Sequence, residues 1–571
     1  MASTYAGKGI PLDIDGFFRS AADAVGATPD QLKLIFCLLI DYPLANVFIR
    51  LPKGNALLKH VFNLSISGYY MFGFFKLYSG GLQLLASALA TFFIAKFDRS
   101  KNMPWIVFGV VMGHLFINHI YRTLNKVNWG DFDITGPQMV LTLKLTSYAW
   151  SIWDGRRPAE ELDKGQMAAR ITKEPSLLEF LGYAFYFPAV LVGHSSDLNT
   201  YLALTRGTIF DECKEDDAKR HVPRGRKRVA YKRGLLGLVF LGLYTLLSPM
   251  FNFYRVLQDD WFNHNLITRL LIVQFIGFVE RTKYYGVWKL SEGACIVTGL
   301  GFSGYDSEGR STWDDIANLN IPWVEFAPNL KILLDSWNIR TNIWLRECVY
   351  KRITPKGRKP GFQSTILTFL TSAVWHGTYS GYYLTFLIAG FVQTAARLAR
   401  VYLRPLFLSP LEMLPPKLPD ALAKHGITLP APPRTLFKMI YDVLGTITTL
   451  LILNFMVAPF LLWHWKPSLE AWSRMNWYGL WMVGLAFAFF YGGGGALCKK
   501  LNEERIKRAP KDVAWEIVGE TYIHPTLRTD EMQGTGLQNV PPVDQVAREM
   551  EELIDKLVEN IKAEAKAKKT K

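Results

Sequence analysis

QSTILTFLTSAVWHGTYSGYY, residues 363–383, is apolar for most of its length and long enough to enter a bilayer. At its middle stand Trp375, His376 and Gly377. An imidazole at membrane depth needs a partner or a water-lined cavity, so His376 is a candidate functional residue by position alone. A neutral imidazole can take a proton from an alcohol and return it to a leaving group, worth about 10²–10⁴-fold in rate. Ser372 lies one turn before the ring and Tyr379 three residues after it, each spaced to orient it. The competing reading is a structural histidine that bonds a neighbouring helix.

The rest of the chain reads as the same kind of protein. Of its 571 residues, 50% are hydrophobic, 14% aromatic and only 20% charged. Mean hydropathy is +0.10. Apolar runs at about 32–51, 61–77, 82–97 and 104–121 are followed by others near 136–153, 177–202, 234–253, 267–279, 382–397, 437–463 and 477–491. The fold class is therefore all-α, a polytopic membrane protein. The net charge of +16 comes from basic residues that cluster between the apolar runs, as in cytoplasmic loops, so nucleic acid is not an expected partner. Ten Lys or Arg residues fall in 206–233, which puts that loop in the cytoplasm. Five cysteines without a CxxC pair argue against a disulfide framework, and no metal site is expected.

Two regions depart from plain spans. Residues 280–302, ERTKYYGVWKLSEGACIVTGLGF, are interrupted by Lys289 and Glu292 and are expected to form a re-entrant or broken helix. Residues 303–335 read as a surface excursion or lid. The 177–202 run is expected to span, broken at Pro188, with His194 at an interface.

Residues 336–352, SWNIRTNIWLRECVYKR, mix aromatics, amides and cations. Asn338 and Asn342 are four apart, on one helical face if this segment is a helix. An uncharged amide can donate to a developing oxyanion. Trp337 flanks them, and Trp375 flanks the histidine. Lys351, Arg352, Lys356 and Arg358 follow in a basic loop that could hold phosphates or merely set topology. There is no GxSxG elbow, HExxH pair or phosphate-binding glycine loop. What remains suits direct acyl transfer, in which the histidine activates an alcohol that attacks an activated acyl donor. A multipass transporter is the alternative from another class, but the paired, interrupted repeats of such proteins are missing.

Three sections follow: a polar and amphipathic segment at 1–31, a membrane domain at 32–498 and a hydrophilic tail at 499–571. The tail carries an amphipathic pattern from Val543 to Ile561 and ends KKTK. Lys568 and Lys569 occupy the places of a dilysine signal for endoplasmic reticulum return. Nothing in the sequence sets an oligomeric state.

SAVWHGTYSGYY (372–383), SWNIRTNIWLRECVYKR (336–352) and YAFYFPAVLVG (183–193), in this order and spacing, resemble the membrane-bound O-acyltransferase (MBOAT) family. ERTKYYGVWKLSEGACIVTGLGF resembles its lysophospholipid acyltransferase branch, and specifically the fungal broad-specificity enzymes. The resemblance implies a bundle of about 10–12 transmembrane or re-entrant helices around an intramembrane chamber. It places the family's histidine on His376 and its amide on Asn338, with Asn342 the rival. It implies acyl-CoA as co-substrate with no cofactor, a lysophospholipid acceptor attacked through its free sn-2 hydroxyl, and the bilayer as partner. Sterol, diacylglycerol or protein acceptors are the alternatives within the family.

Overall fold

Residues 13–125, 132–211, 213–214, 222–354, 361–413, 432 and 435–508 are described in a computed structural model of the chain. Local signals start the helices where apolar runs begin. Thr28 caps Pro29–Arg50: its side chain accepts from the Gln31 backbone, Gln31 reaches back, and Pro29 fills the first turn. Ser176 and Glu179 form the same reciprocal box before Leu177–Ala184. Before them, the amphipathic helix Ile14–Val25 buries Phe18 and Ala22.

Among the described residues, seven helices are long and apolar enough to cross a membrane: Pro29–Arg50, Tyr78–Phe97, Met103–Leu124, Arg226–Leu247, Ser380–Leu406, Leu436–Leu462 and Tyr478–Lys507. Four more pack among them: Ala56–Gly68, Thr135–Gly155, Leu266–Thr298 and Phe362–His376. The only strands among the described residues are the two-residue pairs Gly304–Tyr305 and Ser311–Thr312. The protein is thus an all-helical, multi-pass membrane protein.

The structure corrects several expectations. Residues 280–302 are not re-entrant or broken: one helix runs unbroken from Leu266 to Thr298. Its polar side chains find partners inside the bundle. Arg281 makes a forked pair with Glu325 (2.8 and 2.6 Å) and donates to Asn454 Oδ1 (2.7 Å). Lys289 pairs with Glu292 at 2.6 Å, and Ser291 donates to the carbonyls of Pro188 and Gly193, each at 2.8 Å. A satisfied buried polar group does not break a helix.

The 177–202 run does not span either. Leu177–Ala184 is a two-turn helix, a non-helical stretch follows, and Leu198–Arg206 resumes. Asn63 holds that stretch, accepting from the Phe187 backbone and donating to the Gly182 carbonyl, each at 2.7 Å. His194 is buried, not interfacial, with Nδ1 within hydrogen-bonding distance of the Gly193 carbonyl and Ser291 Oγ. The 363–383 stretch is two helices rather than one. Helix Gly495–Lys507 crosses the expected start of the tail, and the amphipathic 543–561 pattern lies outside the described residues.

Candidate active site

Helix Phe362–His376 ends on the histidine itself. Gly377 stops it with φ 138°, a value that side chains disfavour. Three residues later the chain re-enters a helix, Ser380–Tyr402. Gly381 lets this second helix lie against the end of Leu436–Leu462: its backbone N–H donates to the Trp463 carbonyl at 2.7 Å, and a Cβ there would sit 2.0 Å from the Pro459 carbonyl oxygen.

These three helix ends enclose the imidazole in aromatic rings. Phe386 stacks on it at 5.1 Å between ring centres and Phe460 meets it edge-on at 4.9 Å. Trp375 lies at 4.6 Å and Tyr382 at 5.8 Å. The ring is half-buried, and neither of its nitrogens hydrogen-bonds to a described residue. Ser372 is buried one turn back and does not bond the ring. Tyr379 turns instead toward Trp463 and His464, at 5.8 and 5.4 Å.

The turn after His376 is pinned from two other helices. His119 Nε2 donates to the Trp375 carbonyl at 3.1 Å, and Thr123 and Thr378 hydroxyls meet at 2.6 Å. Trp375 Nε1 donates to the Met139 carbonyl at 3.0 Å. The sequence reading missed His119. It stands in the apolar helix Met103–Leu124, and the rule that singled out His376 applies to it equally.

Asn338 and Asn342 do not share a helical face. Asn338 precedes helix Ile339–Trp344 as its cap, in the left-handed region at φ 46°, ψ 51°. Buried Asn318 fixes this entry, accepting from the Ile339 and Arg340 backbones at 2.8 and 3.1 Å. The Asn338 carboxamide makes no hydrogen bond to a described residue, whereas Asn342 Nδ2 donates to the Leu334 carbonyl at 2.7 Å. Trp337 packs on Tyr284, Tyr285 and Trp288 at 5.5, 6.1 and 5.4 Å. The amide segment and the histidine helix share a core through Trp344 and Trp375, 6.0 Å apart. No hydrogen bond links Asn338 directly to His376.

Two of the four basic-loop candidates are engaged elsewhere. Lys351 pairs with Asp163 (2.8 Å) and Glu347 (2.7 Å). Arg352 grips Asp154 with two bonds and lies 4.2 Å from the Trp150 ring centre. Lys356 and Arg358 lie outside the described residues.

Residues 119–413 match the sequence profile of MBOAT, the membrane-bound O-acyltransferase family. The chain belongs to this family. The match runs from His119 past His376 and contains both asparagines. Across most of its length this MBOAT chain is also similar to fungal lysophospholipid acyltransferases. It is 39% identical over 462 residues to the one from Schizosaccharomyces pombe, covering 81% of this chain and 86% of the relative. It is 38% identical over 516 residues to the one from Saccharomyces cerevisiae, covering 88% and 80%. Human membrane-bound glycerophospholipid O-acyltransferase 2 is 29% identical over 470 residues, covering 80% and 84%. The chain is an acyltransferase of this family, and the enclosure around His376 is its candidate active site.

Proposed function

We propose that this protein transfers an acyl group from acyl-CoA to the free sn-2 hydroxyl of a lysophospholipid, with His376 as general base. The relatives' lysophospholipid acyltransferase activity supports the acceptor class. The mechanism rests mainly on one observation: the His376 ring nitrogens have no partner among the described residues, although the ring is held on several sides. A structural histidine would use its nitrogens to bond the neighbouring helix. This one is held by ring packing and backbone, which leaves a lone pair for a substrate hydroxyl.

In this reading His376 takes the hydroxyl proton as the alcohol oxygen attacks the thioester carbon. The carbonyl becomes an oxyanion, and Asn338 donates to it. The oxyanion collapses, the C–S bond breaks, and the thiolate of CoA leaves with the proton from His376. Asn338 suits this role better than Asn342, whose amide is already committed to Leu334. Trp337, Trp375, Ser372 and Tyr379 shape the surroundings and have no assigned proton role. Lys351 and Arg352 are assigned to structure, which leaves Lys356 and Arg358 for CoA phosphates. The protein is assigned to the endoplasmic reticulum membrane, with 206–233 and the C-terminal tail on the cytoplasmic side.

The test uses purified protein, acyl-CoA and a panel of lysophospholipids, with free thiol as the readout. Wild type should release thiol only with a lysophospholipid present, and His376→Ala should release none above background. Release by the variant would sink the mechanism, and no release by wild type with any acceptor would sink the activity.

A further inference from the structure

Beside the end of helix Pro29–Arg50, four cations line a cavity of about 330 Å³: Arg50, Lys53, Lys59 and Arg226. None lies on the helices around His376. Two of them are buried, Lys59 at 5% exposure and Arg226 at 8%. Lys59 donates to the Leu204 carbonyl, at a long 3.5 Å, and stands 5.9 Å from the Phe48 ring centre, while Arg226 donates to the Val297 carbonyl. Among the described residues, none of the four makes an ion pair with a carboxylate.

Such an arrangement is expensive. A buried ammonium or guanidinium without a counter-charge costs several kcal/mol, and four like charges around one cavity repel one another. Topology explains Arg50 and Lys53, which are exposed, but not two buried cations. Each cation in this end of the bundle that does meet an acid shows the usual solution: Arg206 has Glu179, and Arg233 has Glu292 and Asp314. The Lys59–Arg226 cavity has the donors for an anion, and no carboxylate among the described residues pairs with them.

We propose that Arg50, Lys53, Lys59 and Arg226 form a binding site for a phosphate monoester group. Arg offers a fork of N–H donors and Lys a point charge, the pair of chemistries that phosphate oxygens take. The volume is at the small end for ligand cavities, enough for a phosphate with a small attached group. Leu57 and Val61, two residues on either side of Lys59, are 62% and 47% exposed and lie on the helix face opposite the lysine. Arg50 and Lys53 are exposed, so the cavity reaches the protein surface, where a phosphate can arrive on a lipid headgroup or on a soluble molecule.

The test uses the full chain in phosphatidylcholine nanodiscs, with the midpoint of thermal unfolding as readout. Inorganic phosphate should raise the wild-type midpoint, and chloride at matched ionic strength should not. Lys59→Met with Arg226→Gln should weaken the phosphate response by about tenfold or more. Without phosphate, that variant should unfold at or above the wild-type midpoint, because it has shed uncompensated charge. Two further arms separate the sources. Phosphatidic acid added to the nanodisc tests a lipid phosphate. Coenzyme A against dephospho-coenzyme A tests a soluble one, since the second lacks the monoester. No wild-type response in any arm, an equal response in the variant, or a variant that is less stable without phosphate would each overturn the site. Stability is the readout, so the site stands or falls apart from the acyl transfer proposed above.

Discussion

His119 Nε2 donates to the carbonyl oxygen of Trp375, 256 residues away in the chain, at 3.1 Å. That carbonyl belongs to the residue just before His376. The bond therefore fixes the last turn of the helix that presents the proposed base, without touching the reacting atoms. His119 is a positioning residue. Replacing it by Leu should cost about 1 kcal/mol of stability for the lost bond. The rate should fall further than that, since a shift of order 1 Å at a reacting group can cost about 100-fold. His119→Gln keeps a donor and should recover part of the loss. Thiol release, resolved into kcat and KM, and a thermal melt on the same samples check this; unchanged kcat in the Leu variant would refute it.

Gly377→Ala tests the turn from the other side. At φ 138° an alanine is strained by about 1–3 kcal/mol. Its Cβ would also stand 3.3 Å from the Tyr382 ring and 3.4 Å from His119 Nδ1. The expected outcome is a lower unfolding midpoint together with a loss of activity, because the strain is relieved by moving His376 or His119.

Asn338→Ala and Asn342→Ala should separate cleanly. Asn342 Nδ2 holds the Leu334 carbonyl, so its loss should lower stability by about 1 kcal/mol and touch turnover little. The Asn338 amide has no described partner, so its loss should spare stability and lower kcat, by up to about 10²–10³-fold for a lost oxyanion donor. Parallel melts and turnover assays decide, and the reverse pattern would give the role to Asn342.

His376 was legible in the sequence because a polar ring in an apolar run advertises its cost. The unbroken helix Leu266–Thr298 was not, because hydropathy counts Arg281, Lys289 and Glu292 as penalties. The partners that cancel part of that penalty, Glu325 and Asn454, lie 44 and 173 residues from Arg281. The two asparagines show the same limit at short range. A spacing of four suggests one helical face only if both residues are helical. Asn338 is instead the cap, because Asn318 takes hold of the two backbone N–H groups that follow it. The engagement of Lys351 and Arg352 was hidden for a related reason: Asp163 and Asp154, the acids that occupy them, are nearly 200 residues upstream.

Asp15 should make the N-terminal helix sensitive to acid. Hydrogen bonds from Lys33 and Lys76, at 2.7 and 2.6 Å, hold its carboxyl down to about 2 from the usual 3.8. A carboxyl that is lower in the folded state stabilises it above the unfolded value and loses that contribution as pH falls through the folded one. The window therefore runs from about pH 4 down to about 2. The groups are partly exposed, so the effect should stay below about 1 kcal/mol. Melts of wild type and Asp15→Asn should differ at neutral pH and converge across that window.

Arg352 provides the sharpest contrast between a substrate contact and a structural cation. Its guanidinium makes two bonds to Asp154, at 2.9 and 2.5 Å, and stacks on Trp150. The two side chains are only 9% and 3% exposed. Breaking a buried pair from one side costs about 3–5 kcal/mol when the remaining charge is uncompensated; Arg157, 3.2 Å from Asp154, keeps the cost of losing Arg352 below that. Arg352→Gln should still lower the unfolding midpoint. Arg352→Lys should rescue little, since an ammonium reproduces neither the fork nor the stacking. Asp154→Asn, which removes the acid shared by Arg352 and Arg157, should destabilise at least as much as Arg352→Gln, although a carboxylate is no candidate to bind a phosphate. If Arg352 held CoA, the acyl-CoA KM would rise in the arginine variants and not in Asp154→Asn. The expected result is that whatever protein stays folded keeps its acyl-CoA KM within about twofold in all three variants.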